Sequence, residues 1–233
     1  MILLQEKKKS PPSPCHYLPH KLWQFDYFFA SELDARELGI LLEKGWRKFG
    51  YYYFRPACPD CRECIPLRVL VNDYKTTKSQ KRIINKNQNL LVQFRPLHYS
   101  ERIYDIYINH SFNRFGKDDG NPNDFISSFL TESCPSFQSE YYLNDWLIAV
   151  GFIDQAMDGL SSVYFIYDTE FGHLGLGSYS IIREINHALD LGLPYYYLGY
   201  YIKECDKMAY KKRFRPYECF NWEKGCWSLS PSK

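Results

Sequence analysis

The feature that most constrains the fold of this chain is a strand, turn, helix and strand pattern in its C-terminal half. Residues 161–168 form a β-rich run, residues 173–178 form a glycine-containing turn, and residues 195–199 are again β-rich. Between the turn and the second run, the apolar face of a helical repeat carries Ile181, Ile182, Ile185, Ala188 and Leu189. This order predicts a β-α-β unit within an α/β or α+β domain.

The glycine-containing turn leads directly into the predicted helix. Gly175, Gly177 and Ser178 stand where the backbone N–H groups of a first helical turn have no helical partner, so a phosphate group can bind there. The same glycines are equally explained by the need to turn the chain between a strand and a helix. The residues alone leave both interpretations open.

Weaker patterns predict the remaining elements. Leu38, Leu41 and Leu42 recur at helical spacing in a predicted helix over 31–48, and Ser79 and Ser100 are candidate N-caps of two more helices. The other predictions are strands over 51–55 and 66–71, a helix over 122–130, and a strand over 146–154 that forms a hairpin with residues 161–168.

The size and composition of the chain indicate a globular protein. Its 233 residues can bury a substantial core. The apolar runs stay far short of the roughly 18 to 20 residues that span a bilayer, so neither a membrane helix nor a signal peptide is expected. Eight cysteines without a secretory signal indicate reduced thiols or metal ligands rather than a disulfide framework. We therefore expect a cytoplasmic protein.

The net charge of +2 hides an uneven distribution of charge along the chain. Residues 66–95 carry seven Lys or Arg and one acid, residues 101–160 carry ten acids and three bases, and residues 207–215 carry five bases and no acid. The two basic stretches are explained either as solvated surface or as two walls of one groove that binds a polyanion. Only their relative positions in the fold separate these explanations.

Four of the eight cysteines have the spacing of metal ligands. Cys58, Cys61 and Cys64 form a C-x2-C-x2-C run, and Cys15 lies in a proline-rich stretch that precedes it. These four thiols are enough for a tetrahedral Zn²⁺ ion or an iron–sulfur cluster. The alternative is a cluster of reduced thiols that contributes only packing.

Several segments within residues 11–220 together resemble one family. In the first half they are residues 58–69 and the sequence Ser79-Gln80-Lys81-Arg82; in the second half they are residues 161–168, 176–179, 192–195, 197–200 and 207–216. In this order they resemble the aminoacyl-tRNA-protein transferases. The short length and the cysteine pattern are similar to the bacterial aspartate/glutamate leucyltransferases of that family rather than to the longer eukaryotic arginyltransferases.

The resemblance implies an α+β fold with two domains. A GNAT-like acyltransferase domain is expected over residues 98–233, and a smaller cysteine-containing domain over residues 1–97 is expected to pack against it. The implied reaction moves the aminoacyl group of a charged tRNA to the α-amine of proteins that begin with Asp or Glu, which creates a signal for proteolysis. Leu-tRNA is the expected donor and Arg-tRNA the alternative; neither coenzyme A nor a membrane is expected to take part.

An aminoacyl ester is already activated, so positioning rather than strong base catalysis is expected to dominate the reaction. The side chains expected at the ester are Tyr164, Tyr167, Tyr197 and Tyr200, as hydroxyl donors or stacking faces. Asp168 is expected to orient or deprotonate the incoming amine. Each tyrosine is equally explained as part of the sheet core, and Asp168 as a turn cap.

The basic residues and the glycine turn supply the expected binding contacts. Those expected for aminoacyl-tRNA are Gly175, Gly177, Ser178, Tyr179, Lys78, Ser79, Gln80, Lys207, Lys211 and Lys212. Those expected for the acceptor carboxylate are Arg68, Lys81, Arg82 and Arg215.

Two other classes of protein explain part of the pattern. A noncatalytic RNA-binding metal protein accounts for the basic stretches and the cysteines, but not for the glycine turn between tyrosine-bearing strands. An acyltransferase that uses coenzyme A accounts for the turn, but residues 173–178 match the usual pyrophosphate-binding loop only loosely.

Overall fold

A computed structural model of the chain describes residues 1–116 and 120–230, without the side chains of Asp206 and Lys207. Within these residues the fold is mixed α+β and contains one large, mostly antiparallel sheet, so the predicted α+β class is confirmed. No helix among the described residues is long and apolar enough to cross a membrane.

The described strands and helices follow one another in a mixed order along the chain. The strands are β1 (Ile2–Lys9), β2 (Ser13–Pro14), β3 (Leu22–Trp23), β4 (Phe25–Ser31), β5 (Arg47–Phe49), β6 (Tyr52–Pro56), β7 (Ile65–Leu70), β8 (Leu91–Pro96), β9 (Ser136–Leu143), β10 (Trp146–Gln155), β11 (Gly159–Tyr167), β12 (Tyr195–Tyr201), β13 (Tyr217–Asn221) and β14 (Cys226–Leu229). The helices are α1 (Ala35–Glu43), α2 (Lys78–Lys86), α3 (Glu101–Phe115), α4 (Pro122–Phe125), α5 (Leu176–Asp190) and α6 (Asp206–Ala209). A π-helical turn covers Ile126–Leu130, and 3₁₀ turns cover Thr169–Leu174 and Tyr210–Arg213.

The large sheet has the strand order β14-β13-β7-β12-β11-β10-β9-β8. Strands β11 and β12 run parallel, whereas the other neighbouring pairs are antiparallel. Helix α5 connects the two parallel strands, which confirms the predicted β-α-β unit. The predicted hairpin is also confirmed, as the pair β10 and β11.

Neighbouring residues on a strand point to opposite faces of the sheet, and this alternation identifies the layers. On β10, Ala149 packs with the residues of α5, whereas Val150 packs with those of α3. On β12, Tyr196 packs with α5, whereas Tyr197 packs with β4 and α1. Helix α5 therefore covers one face, and the other face is shared by α3 and a four-stranded N-terminal sheet of order β1-β4-β6-β5.

Strands from both predicted domains share the large sheet. Strands β7 and β8 come from the first 97 residues, and β7 lies between β12 and β13. The division at residue 97 stays a prediction; neither side of it contains all eight strands of the sheet.

Several predicted helix boundaries are wrong, for local reasons. The helix predicted over 31–48 begins at Ala35, because Asp34 forms a capping box with Glu37, and it ends at Glu43, before β5. Thr77 rather than Ser79 caps α2. The helix predicted over 122–130 is a short α-helix followed by a π-helical turn. The 3₁₀ turn before α5 was not indicated by the sequence pattern.

Candidate functional site

The two parallel strands separate after three residue pairs. Residues 159–161 of β11 pair with residues 195–197 of β12; beyond them β11 continues along β10, and β12 continues along β7. Gly199 has a φ of +76° at the point where the register of β12 shifts. Ser161 and Tyr197 are buried at the last pair, whereas Ser162 and Gly199 just beyond it are partly exposed. We call the gap between these two strands, which begins at Ser162 on β11 and at Gly199 on β12, the strand opening.

Two cationic side chains reach the strand opening. Arg47 of β5 donates from Nη1 to Ser161 Oγ at 2.8 Å and from Nη2 to the carbonyl oxygen of the next residue. Its guanidinium lies over Gly199, with atoms 3.5 to 3.6 Å from the position that a Cβ would take there. Lys211 donates from Nζ to the Tyr200 carbonyl oxygen at 2.7 Å. The two charges therefore lie at consecutive residues of β12.

Neither cation has a counter-ion among the residues that the structure describes, since Arg47 and Lys211 take part in none of the salt bridges there. Burial lowers the pKa of Arg47. Burial, followed by the nearby Arg47, lowers the pKa of Lys211 to about 7, although Cys205 opposes this shift. Lys211 was predicted to contact tRNA, but its ammonium points inward; the side chain of Lys207, predicted with it, lies outside the described residues.

The next residue on β5 shows the opposite arrangement. Lys48 forms a salt bridge with Asp154 at 3.1 Å, and both side chains are almost fully buried. Burial alone would lower the pKa of Lys48, but Asp154 raises it above the ordinary value. Asp154 also accepts a hydrogen bond from Ser136 Oγ at 2.8 Å. This cation is therefore neutralised within the fold.

Arg68, a predicted acceptor-binding residue, is also paired within the chain. It is 5% exposed, and it donates from Nε to Glu218 at 2.7 Å and from Nη1 to Glu43 at 3.4 Å. Its guanidinium lies 3.7 Å from the centre of the Tyr195 ring. Burial opposes the charge, but Tyr197 and Glu218 raise the pKa of Arg68. A cation held by acids of its own chain attracts a substrate carboxylate less strongly, so these contacts do not favour the predicted role.

Tyr197 and Tyr200, two of the four tyrosines predicted to lie at the ester, are both on β12 beside the strand opening. The Tyr197 hydroxyl donates to Asp158 Oδ2 at 3.0 Å, and the Tyr200 hydroxyl donates to the Gly45 carbonyl oxygen at 2.9 Å. Burial is the main cause that raises the pKa of both phenols. Both therefore remain protonated at neutral pH, and their hydroxyl groups are held by internal partners.

The other two predicted tyrosines pack in two different layers. Tyr164 stacks on Phe129 with ring centres 5.0 Å apart and packs with the residues of α3. Tyr167 packs with the residues of α5 and meets the edge of the His110 ring at 4.7 Å. The structure thus brings Tyr197 and Tyr200 to the strand opening, whereas Tyr164 and Tyr167 pack with different core clusters and both contact the ring of His110 on α3.

Asp168 ends β11 and begins the 3₁₀ turn. Its Oδ1 accepts a hydrogen bond from the Glu170 backbone N–H at 3.3 Å, and its Oδ2 accepts one from Arg102 Nη2 at 2.7 Å. The turn-cap interpretation of Asp168 is what these contacts favour. Arg102 was not indicated by the sequence pattern; its guanidinium lies 4.5 Å from the centre of the Trp146 ring.

The N-terminal end of α5 is uncrowded. Gly175 has a φ of +69°, and a Cβ at Gly175 or Gly177 would meet no atom within 4 Å. Ser178 is partly exposed. Asn87, the residue that follows α2, donates from Nδ2, at 2.9 Å, to the carbonyl oxygen that precedes Gly175. Tyr179, a predicted tRNA contact, is instead buried in the core and donates to the Asn87 carbonyl oxygen at 3.4 Å.

The two basic stretches of the sequence meet in the fold. Gln80, buried in the first turn of α2, donates from Nε2 to the Arg213 carbonyl oxygen at 3.1 Å. Lys212 lies 4.0 Å from the centre of the Tyr201 ring, and Arg215 is exposed. The exposed residues that α2 contributes are Lys78, Ser79, Lys81, Arg82 and Lys86. We call these residues, with Lys212, Arg213 and Arg215, the basic surface.

A buried carboxylate that sequence patterns did not indicate lies between α5 and the sheet. Glu184 accepts hydrogen bonds from Ser139 Oγ at 3.1 Å and from the Tyr196 hydroxyl. Burial raises the pKa of Glu184 to about 7, although both hydrogen bonds oppose the shift. Glu184 stands three residues after Ile181 and four before Ala188, on the apolar face of the helix. An acidic residue on the apolar face of a predicted helix is the sequence signal that could have identified Glu184.

The four cysteines with metal-ligand spacing lie near one another. They are Cys15, Cys58, Cys61 and Cys64. Burial raises the pKa of the Cys64 thiol to about 12, and the other three cysteines raise it as well. Among the described residues, no three His, Cys, Asp or Glu side chains are placed to share one metal ion. The donor set has the chemistry of a zinc or iron–sulfur site without its geometry, so the metal stays a prediction.

Two family models match the chain. Residues 13–82 match the N terminus of arginine-tRNA-protein transferase, and residues 100–221 match its C terminus. The matched residues include the cysteine run, residues 78–82 of α2, the strand opening and the N-terminal end of α5.

Similar curated proteins carry the name aspartate/glutamate leucyltransferase. One from Campylobacter jejuni is 35% identical over 212 residues, which cover 88% of each chain. One from Marinobacter nauticus is 34% identical over 215 residues, which cover 90% of each chain. One from Polynucleobacter asymbioticus is 36% identical over 217 residues, which cover 89% of this chain and 88% of the relative.

Solved structures with much lower identity share the fold. The structure of L-PGS from Bacillus licheniformis has a TM-score of 0.52 at 11% identity and covers 84% of this chain and 67% of its own. The C-terminal domain of a putative lysylphosphatidylglycerol synthetase from Agrobacterium fabrum has a TM-score of 0.50 at 11% identity and covers 83% of this chain and 65% of its own. At this identity the likeness shows the fold alone.

Proposed function

The chain belongs to the arginine-tRNA-protein transferase family, and on that premise we propose that it transfers leucine from Leu-tRNA to the N-terminal α-amine of proteins that begin with Asp or Glu. The observation that carries the choice of leucine is the match to aspartate/glutamate leucyltransferases along 88% of each chain. The match spans both halves, including the tyrosine-bearing strands, which a noncatalytic RNA-binding protein does not require. The added leucine then serves as a signal for proteolysis.

The reaction replaces an ester bond with an amide bond. The acceptor nitrogen attacks the ester carbonyl carbon, and the tetrahedral intermediate collapses with release of the ribose hydroxyl of the tRNA, which receives the proton that the amine loses. An α-amine has an ordinary pKa of about 7.7 to 8.0, so a useful fraction is unprotonated near neutral pH. Holding the amine and the ester in contact supplies roughly 7 to 11 kcal/mol of the barrier, so binding is the main task of the protein.

In this proposal the β11, α5 and β12 unit is the core of a GNAT-like acyltransferase, and the strand opening receives the reacting ends of both substrates. The N-terminal end of α5 holds a phosphate near the 3′ end of the tRNA, because its glycines leave the first helical turn uncrowded. The basic surface extends this contact. Lys86 donates from Nζ to the His173 carbonyl oxygen at 2.5 Å and so joins the basic surface to the turn before α5.

The cysteine cluster takes no part in the proposed chemical step. It lies in the N-terminal part of the chain, and a zinc ion or an iron–sulfur cluster there serves the fold. Metal analysis of protein purified without oxygen tests this part of the proposal, since neither zinc nor iron in the sample would leave a cluster of thiols.

A transfer assay with three donors tests the function. The chain is incubated with peptides that begin with Asp, Glu or Ala, and with Leu-tRNA, Arg-tRNA or acetyl-coenzyme A. We expect a product heavier by one leucyl group only with Leu-tRNA and only on the Asp and Glu peptides. An Asp peptide with an acetylated α-amine is the matched control and is expected to give no product. An arginyl or acetyl product would reassign the donor, and no product with any donor would contradict the proposal.

A further inference from the structure

The strand opening holds two partly buried cations that take part in none of the salt bridges of the described residues. Arg47 donates to Ser161 Oγ and to the following carbonyl oxygen, and Lys211 donates to the Tyr200 carbonyl oxygen. These partners are neutral. A charge that is removed from water and has only neutral partners is costly to the fold, and a ligand of opposite charge would offset that cost.

We propose that Arg47 and Lys211 bind the side-chain carboxylate of the acceptor's N-terminal Asp or Glu and thereby select acidic acceptors. This inference rests on the proposed function. It assigns acceptor recognition to two residues outside the four cations that the sequence suggested for it, of which Arg68 is already held by Glu218 and Glu43.

Both cations have donors left for a ligand. The guanidinium of Arg47 uses one N–H on each terminal nitrogen in its contacts with β11, and a guanidinium carries further N–H donors in a planar fork. The ammonium of Lys211 uses one donor on Tyr200 and carries others. A carboxylate accepts from a fork and from an ammonium at the same time, because its two oxygens offer several lone pairs.

The position of the pair favours a small carboxylate over a phosphate of the tRNA backbone. Arg47 and Lys211 donate to hydroxyl and backbone oxygens of β11 and β12, whereas Lys78, Lys81, Arg82, Lys86, Arg213 and Arg215 of the basic surface are exposed to solvent. A desolvated cation discriminates strongly between a charged ligand and its neutral isostere, because the neutral ligand leaves the buried charge uncompensated. Selection of Asp over Asn is a discrimination of that kind. Phosphates of a folded RNA are bound without base readout by exposed Lys and Arg.

The test compares four acceptor peptides, beginning with Asp, Asn, Glu and Gln, in the wild-type protein and in Lys211→Met, with Leu-tRNA as donor. We expect the preference for Asp over Asn, measured as the ratio of kcat/KM, to fall by roughly 10-fold or more in Lys211→Met, with the KM for Leu-tRNA unchanged. Lys212→Met removes the neighbouring charge in the same way. It is expected to raise the KM for Leu-tRNA and to leave the Asp preference intact.

A second variant and a binding measurement keep the test informative if Lys211→Met misfolds or if the protein transfers no leucine. Arg47→Lys keeps the charge but loses the fork, and we expect it to retain part of the Asp preference. Titration of the Asp peptide into protein without tRNA, followed calorimetrically, is expected to show weaker binding to Lys211→Met than to the wild-type protein.

The outcomes separate the inference from the proposed function. An unchanged Asp preference in Lys211→Met, or a raised KM for Leu-tRNA in its place, would overturn the assignment and give Lys211 to the tRNA. Equal binding of the Asp peptide to both proteins would overturn it as well. A wild-type protein that binds the Asp peptide through Lys211 but transfers no leucine would support the carboxylate site and contradict the transferase function.

Discussion

Arg47 and Lys48 are adjacent residues of β5, and their charges have different partners. Lys48 points to Asp154 and forms a buried salt bridge at 3.1 Å. Arg47 points to the strand opening, where its partners are a hydroxyl and a carbonyl oxygen and its neighbour is the ammonium of Lys211. Asp154 pairs with the first charge directly, whereas the second has no salt-bridge partner among the described residues. Burial alone therefore does not separate the two cations; the salt bridge of Lys48 and the neutral partners of Arg47 do.

The largest expected effect is loss of the balanced pair. Lys48→Met leaves Asp154 buried with Ser136 as its one hydrogen-bond donor in the described contacts. Breaking a buried ion pair by removal of one partner costs about 3 to 5 kcal/mol. We expect the free energy of unfolding, measured by urea denaturation, to fall by that amount.

Lys211→Met is the matched comparison for that measurement, because it removes a partly exposed ammonium that takes part in none of the salt bridges of the described residues. It should leave the free energy of unfolding unchanged or raise it by about 1 to 2 kcal/mol, since the cost of burying the charge disappears together with one hydrogen bond. Equal losses in Lys48→Met and Lys211→Met would show that the two cations do not differ in the way the contacts indicate.

Glu184 extends the comparison to an unbalanced acid. Its pKa is about 7 in the fold and 4.5 in an ordinary environment, so between these values the folded protein holds a proton that the unfolded chain has released. The stabilising contribution is therefore fully present below pH 4.5 and is lost as the pH rises through 7. Relative to Glu184→Gln, which does not titrate, the wild-type protein should lose about 3 kcal/mol of unfolding free energy across this window.

Denaturation of both proteins at a series of pH values measures this difference. Glu184 accepts from Ser139 at one oxygen and from Tyr196 at the other, so Glu184→Gln keeps one acceptor and places an NH2 donor at the second position. That change shifts the stability of the variant by an amount that does not depend on pH, so the comparison is made on the slope with pH. A difference between the two proteins that stays constant from pH 4.5 to 7 would mean that Glu184 is already ionised at low pH and that another charge balances it.

Local patterns predicted the parts of the fold that depend on neighbours in sequence. The β-α-β unit was predicted because the apolar period of α5 and the two β-rich runs are properties of short segments. The cap of α2 was missed by two residues, because Thr77 and Ser79 are both good N-caps. The capping box that Thr77 forms with Gln80, three residues later, sets the start of the helix.

The candidate site depends on contacts that no local pattern contains. Arg47 and Ser161 are 114 residues apart, and Arg47 lies on a strand of only three residues. Lys211 belongs to a run of basic residues, and the composition of that run predicted a tRNA contact. Its side chain instead turns inward to Tyr200. The sequence left open whether the two basic stretches lie together in the fold. The hydrogen bond from α2 to the second stretch shows that they do.

The smallest expected effect concerns the exposed cations, whose charge is balanced by solvent rather than by the fold or by the acceptor. Arg82 lies on the exposed side of α2 within the basic surface, although the sequence suggested it for the acceptor carboxylate. If Arg82 contacts one phosphate, Arg82→Ala reduces the slope of log affinity for Leu-tRNA against log salt concentration by about 1, because one fewer counter-ion is released. The affinity for the Asp peptide should stay the same.

Lys224→Ala, in the exposed turn between β13 and β14, is the control and should alter neither the salt slope nor the peptide affinity. Lys211→Met should alter only the affinity for the peptide. A salt slope that is unchanged in Arg82→Ala but reduced in Lys211→Met would exchange the roles of the two cations, because only a charge that meets a phosphate releases a counter-ion from the RNA.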